Sequence, residues 1–207
     1  MEAERNGKNA TTRICPNMKN AIILHGGPSK EEYYDPKAPS MSNAHWIPWL
    51  QGQLLKHDIP TATPEVPYAF DRNWEVWNRE VERFDITPET LLIGHSTGSG
   101  FFIKYLSIHR EIKVGKVVLV APWLDPDRKH TKNFFDDFEI DPNLADRTQG
   151  LIVVNSDNDQ ESVQKTVEIL RKKVKNFQYE EFHNYGHFCY EDLKTDKFHE
   201  LLNIILS

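Results

Sequence analysis

Short apolar runs alternate along this chain with longer amphipathic stretches. Ala21 to Leu24 is wholly apolar and leads into His25-Gly26-Gly27-Pro28, which predicts a strand closed by a tight turn. Leu91-Leu92-Ile93, Lys116 to Val120 and Leu151 to Val154 predict further short buried strands, and Phe177 to Phe182 alternates as a strand does. Thr61 to Val66 predicts at most a short strand, because its prolines cannot donate to a ladder. Helical spacing is found over Ala44 to Lys56, with Trp46, Leu50 and Leu54 in phase, and over Trp74 to Phe84. It returns over Gly100 to Ile108, Ser162 to Val174 and Asp192 to Leu206. Strands separated by helices predict βαβ units and a mostly parallel sheet. Strands apolar on every position expect helices over both faces. One polar excursion, Leu124 to Gln149, carries Phe134, Phe135 and Phe138. It reads equally as a small lid or as a helix packing those rings into the core.

Size and charge narrow the classes. At 207 residues the chain suits one domain, with 39% apolar and 27% charged residues. No run approaches the roughly 20 apolar residues that span a bilayer, so no membrane association is expected. The polar start, residues 1–19, lacks the apolar stretch of a secretory signal and is expected to be a flexible extension, with residues 20–207 forming the domain. Asn9-Ala10-Thr11 is then a chance sequon. A net charge of −6 and the absence of a basic stripe argue against nucleic-acid binding. The cluster Arg171-Lys172-Lys173 with Lys175 ends a predicted helix, where positive charge suits the dipole. Cys15 and Cys189 make neither a CxxC nor a metal spacing, which fits a reducing, cytoplasmic setting.

Candidate chemistry centres on Gly94-His95-Ser96-Thr97-Gly98, a G-x-S-x-G pattern between an apolar strand and an apolar helix. The glycines allow the sharp turn that lifts a serine hydroxyl to a helix N-terminus. A serine needs a base, and the expected chain order is serine, acid, histidine. Five histidines follow Ser96. His187 is favoured because Gly186 lets its loop, Asn184 to Phe188, bend back over the sheet. His183 sits at the strand end without that turn. His109, His130 and His199 read as surface residues, and His95 as packed within the elbow. Two aspartates, Asp157 and Asp159, follow the Leu151–Val154 strand, and the one that does not serve as the acid should cap the next helix or face water. Backbone N–H donors for an oxyanion are expected from Thr97 and from the early glycine turn. Pro28 has no N–H, which leaves Gly27. No metal or organic cofactor is implied.

Several segments resemble the small serine hydrolases related to retinoblastoma-binding protein 9, the YdeN-like hydrolases. They are the strand ending in His25-Gly26-Gly27, then Trp46-Ile47-Pro48-Trp49-Leu50, and the turn at Ser96. Val117 to Val120 with Ala121-Pro122-Trp123, and Tyr185-Gly186-His187-Phe188, also fit. The resemblance covers roughly Asn20 onward. It implies an α/β-hydrolase fold with little or no cap and a triad of Ser96, Asp159 and His187. Asp159 is implied because the family's acid ends a Ser-x-x-Asp loop, here Ser156 to Asp159. Gln160 stands where family members commonly have proline. His25-Gly26-Gly27-Pro28 also resembles the opening of proline iminopeptidases, with Ser29 in place of their usual glycine. The expected activity is hydrolysis of a small-molecule or peptide-like acyl substrate, ester or amide. The rival expectation is a protein-interaction module on the same fold, since the resembled family includes a member named for partner binding.

Overall fold

The computed structural model describes residues 18–207. Cys15 and the Asn9 sequon lie outside them, as does most of the expected extension. At the boundary, Met18 packs against the core and the Lys19 N–H donates to the Glu89 carbonyl.

Six strands form one sheet in which every neighbouring pair is parallel: β1 (Asn20–Leu24), β2 (Thr61–Ala62), β3 (Thr90–His95), β4 (Val114–Val120), β5 (Thr148–Ser156) and β6 (Gln178–Phe182). Their spatial order is β2-β1-β3-β4-β5-β6. All six residues of β3 are buried, as are the last four of β4 and the last six of β5. That burial is what the continuous apolar runs predict for strands covered on both faces. β2 is only two residues long, and Pro64 follows it closely, so the prolines confine this edge strand as expected. β2 lies beside β1 on one flank and β3 on the other, so the chain steps outward from β1 in one direction and then in the opposite one. The order therefore reverses between β1 and β3, where a crevice opens at the carboxyl ends of the strands.

The helices are α1 (Lys30–Tyr34), α2 (Ile47–Lys56), α3 (Trp74–Val81), α4 (Thr97–Ile108), α5 (Glu161–Lys173), α6 (Tyr190–Leu193) and α7 (His199–Leu206). α1 escapes a periodicity reading because none of its residues is buried; a Ser29–Glu32 capping box starts it. The expected helix from Asp192 to Leu206 is two pieces. Lys194 is left-handed at φ 56°, and the chain re-enters a helix only after Phe198, whose ring is buried. Residues 121–143 form neither helix nor strand. Phe134 and Phe135 nevertheless pack into the core, edge to face with each other and against Trp77 and Trp123 respectively. The excursion thus buries two of its three phenylalanine rings without forming a helix, and Phe138 is partly buried. Among the described residues, no helix is long and apolar enough to cross a membrane. The architecture is an α/β-hydrolase fold.

Candidate active site

β3 ends at His95, and the chain turns at once into α4. Ser96 makes that turn at φ 54° and ψ −117°, a conformation bulky L-residues avoid. Its amide is tied to the Val120 carbonyl at 2.9 Å, which fixes the turn against β4. Glycine is required on both sides by space. A Cβ at Gly94 would lie 2.5 Å from the Ser99 nitrogen, and one at Gly98 would lie 2.3 Å from the Leu24 carbonyl oxygen. The Ser96 hydroxyl makes no helix-capping bond. Thr97 opens α4, where amides have no partner within the helix.

The β1 loop passes against this turn, and a Cβ on Gly26 would sit 3.2 Å from Ser96 Cβ. Two side chains hold the loop. Buried His25 accepts the Val66 N–H at Nε2 (3.0 Å), so its Nδ1–H donates to the Gly26 carbonyl (2.6 Å). Arg72 donates to the Gly27 carbonyl (3.3 Å). In a trans peptide, the C=O of Gly26 and the N–H of Gly27 point in opposite directions. The His25 bond therefore also orients the Gly27 N–H.

His187 is fixed at three points. Its amide donates to Asp192 (2.8 Å), its carbonyl accepts His95 Nε2–H (2.9 Å), and its ring Nδ1 meets Asp159 Oδ1 (2.8 Å) and Oδ2 (3.1 Å). The Asp159 side chain is fully buried. Gly186 is left-handed at φ 55°, and a Cβ there would strike Asp192. The β5–α5 loop grips the histidine loop residue by residue. Asp157 accepts the Asn184 N–H (2.9 Å), Ser156 Oγ that of Tyr185 (2.9 Å), and Asn158 that of Gly186 (2.8 Å). Asp157 also binds the exposed His183 ring. The two aspartates thus divide between the two histidines. Of the two roles expected of the second aspartate, Asp157 takes the exposed one and does not cap α5; the capping position is Gln160, with no side-chain bond. The Asn184 amide, and then His183, hold the Asp157 carboxyl below the usual range.

Ser96, Thr97, His187, Gly26 and Gly27 line one cavity of about 340 Å³ at the strand-order reversal. His95 lies beneath it, buried, and burial together with neighbouring His187 pushes its pKa well below the usual value, so it stays neutral. It packs in the elbow, as expected. His130 is exposed, as expected, yet also lines the cavity beside Trp123. His109 pairs with Glu111 and His199 meets Trp49 edge to face, both away from the site.

Arg72, His45, Cys189 and Glu191 also line the cavity, and periodicity gave no sign of any of them. Burial first, then Asp192 and other carboxylates, push the Cys189 thiol up to about 12, so it is no rival nucleophile. Donor atoms of His45, Cys189 and Glu191 gather within 4.8 Å. However, the Tyr190 N–H occupies His45 Nδ1 (3.1 Å), which leaves a neutral ring only an N–H at Nε2. The cluster therefore offers a metal no imidazole lone pair without breaking that bond.

A model of the serine hydrolase family matches residues 39–192. Among solved structures, the ydeN gene product of B. subtilis is similar at a TM-score of 0.75 and 20% identity, covering 91% of this chain and 97% of that one. A putative YdeN-like hydrolase from Pectobacterium atrosepticum is similar at 0.60 and 18%, covering 93% of each. XC6422 from Xanthomonas campestris, an α/β serine hydrolase without a lid, is similar at 0.53 and 14%, covering 91% of this chain and 79% of that one. No curated protein matches the sequence. The chain belongs to the serine hydrolase family and has the fold of the YdeN-like small α/β hydrolases.

Proposed function

We propose that this hydrolase cleaves an ester or amide through an acyl-enzyme. Ser96 attacks the carbonyl while His187 takes its proton, and His187 then returns that proton to the leaving group. Water, activated by the same imidazole, releases the acid and restores Ser96. Asp159 keeps the Nδ1–H tautomer and stabilises the imidazolium. The N–H groups of Gly27 and Thr97 receive the oxyanion, helped by the positive end of α4. No metal or organic cofactor enters this scheme. The observation that carries it is the pairing of His187 Nδ1 with buried Asp159, on a residue that shares the Ser96 cavity. A cavity of about 340 Å³ suits a small-molecule or peptide-like acyl group.

A fluorophosphonate probe tests the proposal and separates it from a binding module that leaves the site idle. The wild type should label and Ser96→Ala should not, with both folded by circular dichroism. An unlabelled wild type, or a labelled Ser96→Ala, would overturn it.

A further inference from the structure

Within the cavity, Arg72 is the sole Lys or Arg among the lining residues. Its guanidinium packs on Gly27, where an added Cβ would lie 3.1 Å from Nε, and over the Trp123 ring at 5.2 Å. Nη1 donates to the Phe70 carbonyl (3.0 Å) and Nη2 to the Gly27 carbonyl (3.3 Å). Nε is buried and makes no hydrogen bond among the described residues. No carboxylate reaches the guanidinium within ion-pairing distance there. Asp125, the carboxylate whose charge acts on Arg72, has its oxygens engaged by the amides of Lys129, His130 and Thr131 and by the Thr131 hydroxyl. Arg72 is half-buried, and a cation partly withdrawn from water is stabilised by an anion that pairs with it. An arginine seldom loses its proton.

We propose that Arg72 receives a carboxylate carried by the acyl part of the substrate, so that the enzyme prefers half-esters or half-amides of dicarboxylic acids. The inference rests on the Ser96 chemistry above. Arg72 touches the same Gly27 that faces the developing oxyanion, so an anion held there lies one short acyl chain from the reacting carbonyl. Trp123 supplies an apolar wall for that chain. Glu32 and Glu191 also line the cavity, but they are exposed and water screens them. Glu32, Met41, His45 and Glu191 form a wall shared with an adjoining cavity; Arg72, Trp123 and His130 do not. The cavity thus has a basic, aromatic side and an acidic rim.

The test compares p-nitrophenyl hexanoate with mono-p-nitrophenyl esters of succinic, glutaric and adipic acid. The wild type should give a higher kcat/KM for at least one half-ester than for the neutral ester. Arg72→Gln should lower that ratio about tenfold to a hundredfold, and Arg72→Lys should keep part of it. Free glutarate should slow fluorophosphonate labelling of the wild type more than glutaramide does, a readout that holds even where Arg72→Gln does not fold. Equal losses on neutral and anionic esters would overturn the inference, making Arg72 a support for the Gly27 loop alone. So would labelling and turnover without preference, which would leave the Ser96 reaction standing. A wild type that neither labels nor turns over any ester would overturn both.

Discussion

Asp159→Asn removes one negative charge and almost no volume, and the structure says why that change should be severe. Asp159 Oδ1 lies 2.8 Å from His187 Nδ1 and accepts the Gln160 N–H at 2.6 Å, while Oδ2 lies 3.1 Å from the same ring nitrogen. An asparagine can place its carbonyl at the Oδ1 position and satisfy both donors. Its NH2 group then faces His187 Nδ1–H at about the Oδ2 distance, donor against donor. Turned the other way, the NH2 group meets the Gln160 N–H. The easiest relief is for the ring to move its proton to Nε2, the nitrogen that must accept from Ser96. The variant then holds the wrong tautomer and has no carboxylate to stabilise the imidazolium. In the same role elsewhere that loss is worth about 10⁴ in kcat.

Asp192 and His95 still hold the His187 backbone in the variant, so the loop should stay in place and the fold should survive. The expected result is a fall in kcat of about 10³ to 10⁴ on p-nitrophenyl esters, with the melting temperature lowered by only a few degrees. Asp157→Asn is the control. It keeps an acceptor for the Asn184 amide and loses a contact to exposed His183, so kcat should change by less than about tenfold. The reasoning fails if Asp159→Asn keeps kcat within tenfold of wild type, or if Asp157→Asn loses as much.

Glycines in two settings should respond with opposite signs. Gly52→Ala, inside α2 with open space around its missing Cβ, should raise the melting temperature by about 2 °C in calorimetry. Gly98→Ala drives a methyl into the Leu24 carbonyl and should destabilise by about 3 kcal/mol or more in urea titration. Arg147 donates to the carbonyls of Leu106 and Ile112 and to buried Asp141, so Arg147→Met should cost about 3 kcal/mol. Burial alone would raise the Asp141 pKa, but bonds from Arg147 and the Asn143 amide outweigh it and hold the carboxyl below its usual value. That stabilisation is present above the unfolded pKa of about 4 and is lost as pH falls through the lowered one. Melting temperature should therefore drop on acidification below about pH 5, and Asp141→Asn should flatten that drop; an unchanged slope would refute the assignment.

What the sequence made legible follows from range. Strand cores such as Leu91 to Ile93 and Val117 to Val120 are visible because burial on two faces demands unbroken apolar residues. The turn at Ser96 is visible because close backbone approach at positions 94 and 98 admits only glycine. Spacing cannot separate Asp157 from Asp159, since both follow one strand. Burial and partner separate them, and these depend on how far the β5–α5 loop folds over the histidine loop. Arg72 lies 45 residues from the Gly27 it holds, within a loop that has no period to read. α7 starts late because Lys194 breaks a pattern whose apolar spacing otherwise runs on. In each case the missing information is a tertiary contact that no local propensity encodes.

Of the fourteen non-glycine residues with positive φ among the described residues, four lie in the cavity wall or next to His187. His45, Arg72 and Ser96 line the cavity, and Phe188, beside His187, is the fourth. Each such residue costs of order 1 to 3 kcal/mol and persists only where surrounding contacts over-determine it. Here those contacts are specific. Tyr190 holds the His45 ring, the Gly27 and Phe70 carbonyls hold Arg72, and Val120 holds the Ser96 amide. Phe188 is locked by its fully buried ring, stacked on Phe198. The strands beneath supply what offsets the strain, because β3 and the carboxyl ends of β4 and β5 are buried throughout. A rigid parallel core therefore permits turns that a looser scaffold would relax. Relaxing any one of them would move Ser96, the Gly27 loop or His187 relative to the others. That coupling places the cavity at the carboxyl ends of the best-packed strands, β3 to β5.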